Sequence, residues 1–451
     1  MSEPLPFARG LKAALGRDPS RPLVFVGNFE VEDVWAATEF TLPRLSSATG
    51  RAVVNRMDEF AILLGGADDH VVTKAAPDPG YLEYLRELGF PLPHLHHPAA
   101  PDPAASVSAD VLADPRLLAE LGALAADGAA LAAHGVSELE ERMSAATGVP
   151  LAAPGAATCK AVNSKNYSRA LADAHGVRQP AGRSCTSLAE LADALGWASD
   201  LRANGRPTVA KEAFGVSGKG IVRLDSARRG ERVLREFSKQ AEKRGADRTA
   251  VVIEEWVDKA VDLNYQFTLG QDGSVQFDFV KEALTEGGVH RGHRMPAALT
   301  DAQLEEILRC TKAVGAQLAS DGYFGVVGVD ALITTGGELF PLIEINARHN
   351  MSTYQLPLQH RFFRAGQVAL ARHYRVRAAA PVPFRRLRDV LDEPLAQRRL
   401  LINNFATVNA GRAEDGSVDG RVYGFLVADS LDEVLATDSE IEARLRERSA
   451  L

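Results

Sequence analysis

The residues best equipped for chemistry lie in a few short stretches. Asp330 follows the apolar run GVVGV, and Glu344 and Asn346 stand two apart in FPLIEINA. Side chains two apart on a strand share a face, so Glu344 and Asn346 project together, and Asp330 can lie opposite them across a hairpin. Two carboxylates and an amide oxygen make a hard oxygen site. Such a site suits Mg²⁺, which takes a carboxylate or two and leaves its other positions to water and substrate phosphates. The apolar flanks make Glu344 semi-buried, where a carboxylate calls for a cation. Arg348, two residues on, can neutralise a transferring phosphoryl group.

A second stretch, EAFGVSGKGIV, is Gly-rich and lies between two apolar runs of strand type. A P-loop would need a Gly where Ala213 stands and a Ser or Thr where Gly220 stands, and it would open a helix. The dinucleotide GxGxxG also opens a helix. A Gly-rich loop between strands can instead fold over a triphosphate as a lid, with the N–H groups of Gly215, Ser217 and Gly218 turned towards it. A plain hairpin turn is the competing reading. Lys211 shares a face with Val209 on the preceding strand, and a lysine on an apolar face is costly to bury without an anion.

VVIEEWV places Glu254 and Glu255 on opposite faces of an apolar strand, whose end can read an adenine edge through its backbone. Asp262 is a candidate for a ribose hydroxyl. GGVHRGHRMP carries His290, Arg291, His293 and Arg294 on what reads as a Gly-rich loop, suited to an acyl phosphate or a substrate carboxylate. HNMSTYQLP lies near the acidic strand end, with Ser352 and Tyr354 as candidate substrate contacts. His94, His96 and His97 fall in a Pro-rich stretch without a Cys or carboxylate at ligand spacing, and read as a loop.

These residues need elements to position them. PLVFVGNF, AVVNRM and HVVTKAA read as short strands, and DPGYLEYLRELG as a helix with Asp78 and Pro79 at its start. Strands alternating with helices argue a parallel α/β layer. The segment 108–147 is Ala/Leu-rich and reads as helical. After residue 151 come helices opening at Ser164 and at Thr186 or Ser187, the strand–loop–strand 207–224, a hairpin turning at Gln-Asp-Gly, a helix capped by Thr300, and a hairpin turning at Thr-Gly-Gly. The expected class is α/β with α+β subdomains: a parallel-sheet unit over 1–150, a central module over 151–375 and a small α/β closing subdomain over 376–451.

Composition limits the function further. The net charge of −8 and the absence of a basic stripe speak against a nucleic-acid partner. Three cysteines form no zinc knuckle and no disulfide framework. No apolar run approaches the ~18 residues of a membrane span, and the start has no signal core. The chain is read as cytoplasmic, without a membrane partner.

TVAKEAFGVSGKGIV, VVIEEWV, GVVGVD and PLIEINARHN, in that order, resemble the ATP-grasp superfamily of carboxylate–amine ligases over roughly 151–375, and SKNYSRALADAHGV resembles its opening segment. The N-terminal unit is similar to a pre-ATP-grasp domain, and VFVGNFEVEDVW and VVNRMDE resemble the pheganomycin-type peptide ligases. The resemblance implies two α+β subdomains clamping ATP. It implies Lys165 and Lys211 as phosphate lysines, Gly215 through Gly220 as the lid, and Glu254, Glu255 and Val257 as the adenine hinge. Asp262 falls at the ribose acid, with a residue of slack in WVDKAVD. Asp330, Glu344 and Asn346 match the metal ligands for one or two Mg²⁺ ions, with Mn²⁺ as a substitute. Arg348 and Arg294 match the charge-stabilising arginines, and Lys281 a further phosphate contact. Ala347 stands where many relatives have Pro. The implied reaction joins an amino-acid or peptide carboxylate to an amine through an acyl phosphate, as in antibiotic biosynthesis. A carrier-protein thiol as acceptor and a non-catalytic ATP-binding regulator are the alternatives. A homodimer through the N-terminal unit is also implied.

Overall fold

The computed structural model describes residues 6–42, 48–215, 220–286 and 289–447. Among them no helix is long and apolar enough to cross a membrane. Three sheets organise the chain.

The first is parallel, in the order β3-β2-β1-β4, and consists of β1 (Leu23–Val26), β2 (His70–Val72), β3 (His94–His96) and β4 (Ala130–Ala133). β1 and β4 are buried throughout, as expected when helices cover both faces of a parallel sheet. Burial explains why the Ala-rich β4 is a strand inside a segment whose composition reads as helix: tertiary pairing overrides alanine's helix propensity. AVVNRM is also corrected, because Ala48–Asn55 is an α-helix. β1 already pairs on both sides, with β2 and β4, and has no edge to offer another strand. The expected histidine loop contains the edge strand β3, where His96 Nε2 lies 2.9 Å from His70 Nδ1 and His96 Nδ1 lies 2.7 Å from Glu120.

The second sheet is antiparallel, in the order β5-β8-β6-β7: β5 (Gly182–Ser187), β6 (Thr208–Glu212), β7 (Ile221–Arg223) and β8 (Arg248–Glu255). The helices Leu188–Ala203 and Ala227–Arg244 cover one face, meeting Cys185, Ala210, Val251 and Ile253 with Leu191, Ala194 and Phe237. Ser187 and Ser226 cap these helices, and Gly245 closes the second in the left-handed conformation.

The third sheet has eight antiparallel strands in the order β13-β12-β9-β10-β11-β14-β16-β15: β9 (Lys259–Leu269), β10 (Val275–Glu286), β11 (Val289–Met295), β12 (Gly325–Thr334), β13 (Leu339–Asn346), β14 (Val368–Ala378), β15 (Leu400–Asn404) and β16 (Val418–Ala428). Leu263, Tyr265, Phe267, Val329 and Ile345 join a core with Ile307, Val314 and Leu318 of the helix Asp301–Ser320. By the two-residue period, Asn264, Gln266, Asp330, Glu344 and Asn346 belong to the other face.

Two expectations shift here. The stretch holding His290 and Arg294 is strand β11 rather than a loop. A register shift at Leu284/Thr285 pairs His293 with Ala283 and His290 with Thr285, so both rings lie on one face. The boundary drawn at 375 falls inside β14, because the C-terminal strands extend the large sheet instead of starting a new one. The parallel-sheet unit packs on these strands. Tyr81, Tyr84, Phe384 and Phe405 share one core, and the Glu59 carboxylate accepts from the N–H groups of Phe405 and Ala406 at 2.6 and 2.7 Å.

Candidate active site

Strand register lines up the acidic residues. Asp330 pairs with Glu344 on one side and Asn264 on the other, and Asn264 pairs with Lys281. Asn264 Nδ2 donates to Asp330 Oδ1 at 2.9 Å and Asn346 Nδ2 to Asp330 Oδ2 at 3.2 Å. Burial, with the Glu344 charge as the next cause, pushes the Asp330 carboxyl up to about 6. Two carboxylates held together against their repulsion fit a divalent cation. The donors are two carboxylates and one amide; among the described residues no group of three His, Cys, Asp or Glu side chains forms a metal cluster. Lys165 meets this row, with its Nζ 2.6 Å from Glu344 Oε1 and 3.1 Å from the Gly215 carbonyl. Its place follows from the helix Lys165–His175, which Ser164 caps. Arg348 Nη2 donates to Asn346 Oδ1 at 3.0 Å, and its Nε donates to Glu32 Oε1 at 2.7 Å.

The second sheet supplies the facing charges. Lys211 forms an ion pair with Glu254, and both share a face because Val209 pairs with Glu254. Arg169 lies 3.6 Å from the other Glu254 oxygen. Glu255 faces away, to Arg206, so only its backbone is available to a base. Gly220 has φ 78°, and a Cβ there would lie 2.5 Å from Glu212 Oε2, which accounts for glycine at the end of the loop. Ser217 and Gly218 lie outside the described residues.

Residues 57–149 match the family model of the Pre ATP-grasp domain. The butirosin acyl-carrier protein–L-glutamate ligase of Niallia circulans is 25% identical over 333 residues, which span 73% of this chain and 72% of that protein. An N5-carboxyaminoimidazole ribonucleotide synthetase in its ADP complex superposes with a TM-score of 0.54 at 13% identity, covering 95% of this chain and 98% of the other. The chain is thus similar to ATP-grasp proteins, in its matched N-terminal domain and in its fold. An L-amino acid ligase from Bacillus licheniformis has the same fold, with a TM-score of 0.50 at 16% identity over 83% of this chain and 96% of that one.

Several candidate residues have partners that the sequence reading did not anticipate. Lys281 is fully buried, with its Nζ bonded to Gln355 Oε1 at 3.0 Å and the Ser352 carbonyl at 3.3 Å, so it presents no ammonium to a phosphate. Arg294 is held by Glu282, its strand partner. Ser352 and Tyr354 are buried, on Asn264 and His293 for the serine and His134 for the tyrosine. Asp262 bonds Lys259 and, at 2.7 Å, the Thr285 hydroxyl. Val257 follows β8 in an irregular, half-buried segment.

Glu32, Asn264 and Gln355 are new. The Asn264 signal was present in the alternation of DLNYQF, which sets it on the face of Asp262. Nothing local marks Glu32 as the partner of Arg348.

Proposed function

We propose that this protein is an ATP-dependent ligase that joins an amino-acid or peptide carboxylate to an amine through an acyl phosphate, releasing ADP. The observation that carries the reading is the row Glu344–Asp330 with Asn346, faced by Lys165 and backed by the Lys211–Glu254 pair. Asp330, Glu344 and Asn346 would hold Mg²⁺, or Mn²⁺ in its place, which when bound supplies charge neutralisation between the β- and γ-phosphates. Lys165 and Lys211 each rest on a carboxylate and would exchange that partner for ATP phosphate oxygens. The backbone beyond Glu254 would hold the adenine. Arg348, held in place by Glu32, orients Asn346.

In the first step a substrate carboxylate oxygen attacks the γ-phosphorus and the bond to ADP breaks. In the second the amine nitrogen attacks the acyl carbon, inorganic phosphate leaves, and the nitrogen gives up a proton. No side-chain nucleophile is needed. ADP release over a panel of amino acids and amines, comparing wild type with Glu344→Ala, tests the reading; equal turnover in both would refute the metal assignment.

A second acceptor is favoured by one observation, the relative from Niallia circulans, whose name is that of a carrier-protein ligase. The same acyl phosphate would then pass to a carrier protein, and mass analysis of the product separates the two outcomes. A role in natural-product biosynthesis fits either acceptor.

A further inference from the structure

Five buried polar side chains form a hydrogen-bonded chain across the large sheet, and the chain ends on Asp330. Asp330 pairs with Asn264, Asn264 with Lys281, and His293 with Ala283, two residues beyond Lys281. These four polar residues therefore share one face of β12, β9, β10 and β11. The segment 349–356 lays Ser352 and Gln355 on that face. Asn264, Lys281, His293, Ser352 and Gln355 are each no more than 5% exposed. Asn264 Nδ2 lies 2.9 Å from Asp330 Oδ1, and Ser352 Oγ lies 2.8 Å from Asn264 Oδ1 and 2.9 Å from His293 Nε2. His293 Nδ1 lies 3.1 Å from Gln355 Nε2, whose Oε1 lies 3.0 Å from Lys281 Nζ.

The two ends give this chain one direction. An ionised carboxylate only accepts, so Asn264 turns its amide nitrogen to Asp330 and its oxygen to Ser352. Ser352 uses its one hydrogen on Asn264 Oδ1, and its oxygen then accepts from His293, which places the ring proton on Nε2. Burial holds the pKa of His293 well below the ordinary histidine value, so the ring is neutral and Nδ1 carries a lone pair. Gln355 meets that lone pair with its amide N–H and offers its carbonyl oxygen to Lys281. From the other end, Lys281 has an N–H for Gln355 Oε1 and one for the Ser352 carbonyl at 3.3 Å, in either charge state. Both ends thus demand the same orientation of every group between them. His290 Nε2, 3.2 Å from His293 Nε2, faces that N–H with its lone pair.

We propose that His293 and Ser352 are positioning residues of the acidic row: the Nε2–H tautomer of His293 orients the Ser352 hydroxyl, which locks the Asn264 amide with its N–H on Asp330. The inference rests on the proposed metal role of Asp330, Glu344 and Asn346. Asp330 Oδ2 accepts from Asn346 at 3.2 Å, and Arg348 steadies that amide in turn. Each carboxylate oxygen therefore receives one amide N–H, one from each flanking strand. That fixes the carboxylate plane and leaves lone pairs on both oxygens for a cation. Ser352, expected as a substrate contact, acts instead through Asn264. Without the hydroxyl the amide can rotate, and its oxygen would then face the carboxylate.

The test follows Mn²⁺ binding to the full chain with ADP by electron paramagnetic resonance. Ser352→Ala and His293→Leu should weaken Mn²⁺ about tenfold or more, as losing a group that orients a metal ligand does. His293→Gln keeps an amide N–H for Ser352 and should bind Mn²⁺ as wild type does. Equal affinity in wild type and Ser352→Ala, or His293→Gln binding as weakly as His293→Leu, overturns the positioning role and leaves the metal row standing. No Mn²⁺ binding by wild type overturns both. Two-bond ¹H–¹⁵N correlation of histidine-labelled protein reads the tautomer with no metal present. The signals lost in His293→Gln should be those of a neutral ring protonated at Nε2. A ring protonated at Nδ1, or at both nitrogens, overturns the inference even where Ser352→Ala or His293→Leu does not fold.

Discussion

Arg348 donates through Nε to Glu32 at 2.7 Å, although the two residues are 316 positions apart in the chain. Both side chains are at least nine-tenths buried. The contact ties the N-terminal parallel-sheet unit to the end of β13, where Asn346 reaches Asp330. The arginine expected to meet a phosphoryl group is therefore first a strut between units.

Removing one partner of a buried pair strands the other charge. Glu32→Gln should destabilise the fold by about 3–5 kcal/mol. Urea unfolding would measure it, and the double variant Glu32→Gln/Arg348→Met should regain a large part. A single variant as stable as wild type would show that the pair is not structural.

Asp330→Asn keeps the shape of the acidic row but removes one of its charges. ADP release should fall by about a hundredfold or more if the carboxylate stabilises charge on the transferring group. Steady-state kinetics across a Mg²⁺ series would show whether added metal restores the rate.

Lys211 and Lys281 should behave differently. Lys211 sits on Glu254 as a compact ammonium, and a planar guanidinium does not copy its geometry, so Lys211→Arg should raise the KM for ATP about tenfold. Lys281 is sealed from solvent, and burial holds its pKa well below the ordinary lysine value. Lys281→Met should leave ATP affinity unchanged. A rise in KM comparable to that of Lys211→Arg would return Lys281 to the phosphate site.

His349 is buried, and desolvation, followed by the Arg348 charge, brings its pKa down to about 4. The unfolded chain takes up that proton near pH 6.5, before the folded protein can. The unfolded state thus binds more protons between about pH 6.5 and 4, and stability falls with falling pH across that window. One such group contributes at most about 1.4 kcal/mol per pH unit. His349→Gln should flatten the pH dependence of unfolding by up to one proton in that range, read from urea melts between pH 4.5 and 7.

Much of the site was legible because it depends on short-range rules. The Thr-Gly-Gly turn joins β12 to β13, and alternation from there keeps Asp330 and Glu344 on one face, while a register shift between Asp330 and Leu332 sets them opposite each other. The same period puts Lys211 on the face of Val209 and parts Glu254 from Glu255. Ser164, Ser187 and Thr300 announce their helices through capping chemistry.

The sequence by itself determined these faces and turns, since each depends on a few neighbouring residues. Only the tertiary structure decided what covers a face. The segment 349–356 folds over the polar side of the large sheet, sealing Lys281 beneath Ser352 and Gln355, and β10 presents Glu282 to Arg294 before any substrate can. β4 became a strand because β1 had an open side, and Arg348 found Glu32 because two units docked. A periodic pattern states which way a side chain points; its partner is set by long-range packing, which no local window contains.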